Sequence, residues 1–351
     1  MSDKEYQHTC FLLALSIPPA FFLMVFLSDE PFSLLNGTSM WPAEFLKVLA
    51  LWLSYFLLRH GENMVAESRE YIRSELKLDK EAIAENNGIQ NLWQQYQKAD
   101  VSSVRGWRVW PVAAAWMILC VAIYYIQTPN IPFRGYWVFH IDWMLTTLTF
   151  AGFVILFASV SEATMHCRRF IQQLIDRDTL WPFMLKVDDQ DVKSRLQKVQ
   201  REWHEIKLIG MLTDSVSRTV YYPIYVILLL LAAQSDYFDN FDMPASLMLI
   251  ASLNVFLVLC FSISLRRKAI EARDVSLDKI REIEEEIFLD DGHYGHKQKK
   301  RTLAKLRLYE KKIQDIREGA FLPIGEQPWL RALTLMTGGG SSLLLLQYLA
   351  S

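Results

Sequence analysis

Lys47 stands three residues after Glu44, so on a helix the two side chains share a face. Both fall near the outer end of an apolar stretch. A charge there needs a partner or a route to the interface, since lipid solvates it poorly. Ion pairing, or a place on a polar pathway, is the chemistry this intramembrane pair offers. A second constellation is a run of bases, Lys297, Lys299, Lys300, Arg301, Lys305 and Arg307, with no acid among them until Glu310. Clustered cations of this kind suit a phosphate-bearing ligand such as a nucleotide or oligonucleotide. They serve equally well to neutralise the acids that precede them, Glu282, Glu284, Glu285, Glu286, Asp290 and Asp291. A third group is small and polar: Thr146, Thr147 and Thr149, then Asn254, Ser262 and Ser264, then Gly338, Gly339, Gly340, Ser341 and Ser342. Such residues line pores, and they also let helices pack closely with no pore at all.

Signatures of catalysis are missing. The chain has no GxGxxG, no GxxxxGK[ST] and no GxSxG. His293 and His296 are three apart beside glycines, without the further ligands a zinc site wants. His204-Glu205 lacks a second histidine at the metalloprotease spacing, where Leu208 stands. His166-Cys167 with Glu162 has spacings that any helix produces. The expectation is no catalytic residue, no metal and no cofactor.

The elements that must position these residues follow from composition. Hydrophobic residues make up 52% of the 351, charged residues 22%, and mean hydropathy is +0.11. That excludes a disordered chain, a collagen and a disulfide scaffold. The apolar residues collect in blocks of about twenty, the length a helix needs to cross about 30 Å of hydrocarbon. Six such blocks read as spans: 10–27, 41–58, 109–127, 143–160, 220–233 and 244–265. The fifth is short unless the chain from Leu208 onward contributes. A seventh apolar segment, 329–350, is interrupted by Gly338–Gly340, each about 1 kcal/mol worse than alanine in a helix.

Lysine and arginine set the orientation. Eight fall in 59–108, ten in 164–219 and sixteen in 266–331, against one, Arg134, in the opposite loops. By the positive-inside rule the long charged stretches and the N-terminus are cytoplasmic. Cys10, Cys120, Cys167 and Cys260 agree, since none falls in an outer loop where a disulfide would form. The organisation expected is therefore spans in 1–58, a cytoplasmic helical segment in 59–108, spans in 109–160, a cytoplasmic segment in 161–219 and spans in 220–265. A cytoplasmic helical hairpin follows in 266–328, and then the apolar segment 329–351. In the hairpin, 266–289 descends, Asp290-Asp291-Gly292 turns, 297–317 returns, and Gly319 caps the returning arm. The fold class is all-α: a polytopic helical membrane protein with six transmembrane helices and a large cytoplasmic helical domain.

The stretch from Glu318 to Leu333, EGAFLPIGEQPWLRAL, followed by Gly338–Gly340 and 343–348, resembles the C-terminus of bacterial membrane effectors of two-component anti-phage systems of the Hailong type. The resemblance covers about thirty residues and no catalytic motif. It implies an oligomeric channel in the bacterial inner membrane, gated when its cytoplasmic helices sense a nucleotide messenger, and it assigns no ligand residue. With the polar positions in spans, the expected function is an ion channel or pore effector of this kind, acting as a homo-oligomer in the lipid bilayer. The alternative is a non-conducting scaffold that recruits a soluble protein partner through its hairpin. A lipid-acting enzyme using His166 or His204 is a third reading.

Overall fold

The computed structural model describes residues 41–75, 88–98, 109–126, 136–177, 181, 192–233, 245–289 and 296–326. Among them the chain is all-helical. The helices are α1 (Trp41–Glu75), α2 (Ile89–Lys98), α3 (Val109–Ile126), α4 (Tyr136–Asp176), α5 (Val192–Thr219), α6 (Tyr222–Ala233), α7 (Ala245–Leu289) and α8 (His296–Gln314). Two short 3-10 turns follow at Gly319–Phe321 and Ile324–Glu326. The expected first span, 10–27, and the apolar segment 329–350 lie outside the described residues, as does the turn at Asp290-Asp291-Gly292.

Among the described residues, three stretches are long and apolar enough to cross a membrane: Asp142–Asp176, Arg195–Ala233 and Met248–Leu289. They mark the chain as a membrane protein by length and composition. Trp110–Ile123 in α3 is a shorter apolar helix. The expected span 41–58 is the first half of α1, which carries Glu44 and Lys47 and falls outside that trio. The expected span 220–233 does draw on the chain before it. Residues 220 and 221 form a turn, and Ile224 and Tyr225 both donate their N–H to the Tyr221 carbonyl. Pro223 has no N–H to give, so the helix ladder breaks there and restarts as α6.

Two hydrophobic cores result. One gathers Ala50 and Leu57 of α1, Ala113 and Trp116 of α3, Phe153 and Phe157 of α4, Ile227 and Leu230 of α6, and Ile250 and Val258 of α7. Around it, Ile118, Trp143, Leu249 and Phe256 are exposed, as side chains facing lipid would be. The second core gathers Ile72, Trp93, Phe170, Trp181, Val199, Ile209, Leu265, Ile280, Leu306 and Ile313. All three long charged stretches contribute to it, so they pack together at one end of the bundle. The helical hairpin is therefore not a free-standing rod. Leu306 and Ile313 of α8 and Ile280 and Ile287 of α7 are buried in the same core as Val199 and Ile206 of α5.

Gly319 does not cap α8, which ends at Gln314, four residues before Glu318. It docks the chain onto α5 instead. Its φ is +55°, a left-handed conformation that side chains oppose. A Cβ there would lie 2.4 Å from the Asp214 nitrogen, 2.4 Å from Thr213 Oγ1 and 2.5 Å from the Gly210 carbonyl. The next residue, Ala320, donates its N–H to Thr213 Oγ1 at 3.0 Å, and Arg273 of α7 covers the Phe321 ring at 4.2 Å. Gly319→Ala combines backbone strain with a backbone clash and is expected to destabilise the protein by about 3 kcal/mol or more. Gly325→Ala, with nothing within 4 Å of the added carbon, is the control and should leave the thermal midpoint unmoved. Thermal unfolding in detergent, followed by circular dichroism, measures both.

Candidate functional site

Inside the apolar half, α1 and α4 run parallel and in close contact. A Cβ on Gly152 would meet Leu51 at 3.3 Å and Ser54 at 3.4 Å, so glycine leaves the two helices a close approach that one added carbon would tighten. Ser54 and Thr149 return their hydroxyls to carbonyls one turn back, Ala50 and Leu145, and bring no unsatisfied donor into the contact. Thr149 also donates to the Lys47 carbonyl across the interface at 3.2 Å.

One to two turns toward the helix N-termini lies the charge cluster. Lys47 Nζ bonds Glu44 Oε1 at 3.0 Å and also Asp142 Oδ1 on the neighbouring helix. Thr146 Oγ1 sits 3.5 Å from the same Asp142 oxygen. Glu44 and Lys47 are each 2% exposed and the Asp142 side chain 13%. The spacing of Glu44 and Lys47 made their pairing legible in the sequence. Asp142 stands at the edge of its apolar stretch, where a charge means less, and at 95 residues from Lys47 nothing local marks the two as partners. Lys47 therefore does not snorkel; it is clamped between two carboxylates, and its ammonium ties α1 to α4. Thr146 and Thr149, expected as pore or packing residues, belong to this cluster.

The other expected residues are placed apart. Asn254 is buried inside the bundle and donates Nδ2 to the Ile250 carbonyl, one turn back on α7. Ser262 is half-buried farther along the same helix. Gly338, Gly339, Gly340 and Ser341 fall outside the described residues. Lys297 is in the first turn of α8. Lys299 bonds the Phe288 carbonyl at 2.6 Å and covers its ring, and Arg307 pairs with Glu284 at 3.1 Å. Arg281 reaches back to Glu310 at 3.6 Å. The two arms are thus antiparallel, and part of the basic run is met by the acidic arm. Lys300, Arg301 and Lys305 remain exposed.

A second polar network, which the sequence did not signal, lies in the other core. Glu202 is 1% exposed, yet both its oxygens are held. Arg201 Nη2 bonds Oε1 at 2.7 Å, Ser276 Oγ bonds Oε2 at 2.8 Å, and Lys279 Nζ approaches to 3.6 Å. Glu205 accepts from Trp181 Nε1 at 3.3 Å. Beside these groups is a cavity of about 10 Å³, lined by Leu174, Ile175, Ile206, Ile209 and Ala272, with room for one water. This network fastens α5 to α7 across the core.

The remaining titratable candidates show no activated nucleophile. Burial pushes the Cys167 thiol well above its ordinary value, the reverse of what a reactive thiolate needs. Its neighbour His166 stacks on Tyr96 at 4.8 Å. His204 Nδ1 contacts the Gln200 carbonyl at 2.7 Å between the rings of Trp181 and Trp203. No group of three or more metal-ligating side chains is assembled among the described residues. Comparison with known proteins finds nothing similar: no family model, no curated protein and no solved structure matches the chain.

Two outcomes follow from this geometry. Lys47→Met strands two buried carboxyls and should destabilise the protein by about 3 kcal/mol, while Thr146→Val, losing one long hydrogen bond, should change stability by less than about 0.5 kcal/mol. Thermal unfolding of the two variants ranks them. His204 sits below the ordinary imidazole value, chiefly because burial disfavours its charged form. The unfolded chain therefore takes the proton first. Stability is full above the ordinary value of about 6.5 and is lost as the pH falls below it. His204→Gln should flatten that part of a stability-against-pH curve.

Proposed function

We propose that this protein is an ion-conducting membrane protein, assembled from several copies, whose conduction is governed by the helical body outside the bilayer. The observation that carries the reading is the continuity of its helices. α1, α4 and α7 each run unbroken from the apolar core into the polar one, and α5 joins α6 across a single turn. A ligand that shifts the outer body therefore moves the spans without an intervening flexible joint. α7 supports assembly: Leu249, Ser252, Phe256, Cys260 and Ile263 form an exposed stripe at helical spacing, which a second copy or lipid would cover.

In this reading the spans are 10–27, 41–58, 109–127, 143–160, 220–233 extended by the end of α5, and 244–265, with the charged stretches on the cytoplasmic side of a bacterial inner membrane. The resemblance of the C-terminal stretch makes nucleotides and short oligonucleotides the first ligands to try. The exposed Lys300, Arg301 and Lys305 are where they would bind.

Ion flux from liposomes containing the purified protein tests this. Flux should appear with one of those ligands and disappear when Lys300, Arg301 and Lys305 are replaced together by alanine. Silence with every ligand, from protein shown to be folded and inserted, overturns conduction. That outcome would favour recruitment of a soluble partner, for which Phe288 (67% exposed) and Leu289 (79% exposed) at the end of α7 offer an apolar contact.

A further inference from the structure

The buried cluster between α1 and α4 holds more acid than base. Two carboxyls, Glu44 and Asp142, share the single ammonium of Lys47. With all three ionised, one negative charge stands uncompensated in an apolar bundle, a state that lipid and protein interior both penalise by several kcal/mol. Glu44 Oε1 and Asp142 Oδ1 contact the same ammonium, so the two carboxyls are immediate neighbours. Glu44 Oε2 is buried and has no donor. One buried carboxyl oxygen thus stands without a donor, where a carboxylic acid would carry its proton.

The charged and titratable surroundings are few. α1 supplies Glu44 and Lys47; α4 supplies Asp142, with His140 exposed half a turn before it. The apolar stretches of α3, α6 and α7 that pack on these two carry no Asp, Glu, Lys, Arg or His. No second lysine or arginine pairs with Glu44 or Asp142 among the described residues.

We propose that Glu44, Lys47 and Asp142 form a proton-binding site within the membrane, holding one exchangeable proton between the two carboxyls while Lys47 stays charged. Uptake forms one O–H bond on a carboxylate, with the other carboxylate as acceptor, and leaves the cluster neutral. Release returns the proton to water near the N-terminal ends of α1 and α4 and leaves two carboxylates on one ammonium. The site then binds α1 to α4 less tightly, so proton occupancy bears on the packing of the spans. This inference rests on α1 and α4 lying in the membrane and not on conduction.

Infrared spectroscopy of the full chain in phosphatidylcholine–phosphatidylglycerol vesicles tests it. At neutral pH the carbonyl stretch of a protonated carboxylic acid should be present, shift in heavy water, and fade as the pH is raised. The band should be lost in Glu44→Gln or in Asp142→Asn. Should those variants fail to fold, carbon-13 labelling of glutamate and aspartate carboxyls in the unaltered chain replaces them, and the band should shift with one of the labels. Absence of the band at neutral pH, its persistence in both variants, or its insensitivity to both labels overturns the proposal. So does a band that appears only when sodium and potassium are exchanged for N-methylglucamine, which would make the site one for a metal cation.

Discussion

A helix of 45 residues is about 67 Å long, more than twice what the hydrocarbon of a bilayer requires. Whatever part of α7 leaves the membrane must be buried by something else, and the same holds for α4 with 41 residues and α1 with 35. The second core is the answer to that constraint. The overhanging ends of the three rods converge there with α2, α5 and α8, and they bury Ile72, Phe170, Ile206, Ile280 and Ile313 against one another. This burial weakens one physical argument for oligomerisation, because the rods do not depend on a second copy to cover their apolar faces. What remains uncovered lies mostly on the apolar stretches of α3, α4 and α7, at Ile118, Trp143 and Phe256 among others.

Polar groups are handled differently in the two cores. In the apolar bundle, hydroxyls fold back onto their own helix, and the ammonium of Lys47 is surrounded by carboxyls. In the outer core, Glu202 is satisfied from two helices at once by Arg201, Ser276 and Lys279. A buried carboxylate held this way gives register more than stability, since an apolar replacement of the whole group would pack as well. The pairs along the hairpin, Arg307 with Glu284 and Arg281 with Glu310, are exposed and contribute less still. They align two arms that the buried leucines and isoleucines hold together.

Much of this was legible in the sequence because helix formation and burial leave periodic marks. Apolar blocks ran on into charged, spaced stretches in residues 41–75, 136–176 and 245–289, and each is a single helix. The acid-rich and base-rich arms declared a hairpin, and Glu44 and Lys47 declared a pair. What the sequence could not display are contacts between distant segments. Asp142 reaches Lys47 across 95 residues and Ser276 reaches Glu202 across 74, with nothing local to mark either. Gly319 looked like a helix cap, since that is glycine's commonest use after a charged helix. Its steric role is set by the backbone of α5, about a hundred residues earlier, and no local pattern encodes it.

That glycine also fixes where the remainder of the chain starts. The 3-10 turn at Gly319–Phe321 is fastened beside Gly210 and Thr213, less than three helical turns, or about 15 Å, from the bend where α5 becomes α6. The polypeptide beyond Glu326 therefore starts from a point fixed on α5 close to the apolar bundle, and not from the far end of the hairpin. A pull on the α7–α8 tip would be borne at this clamp, and so by α5 and the bend into α6, which is a handle on the apolar bundle.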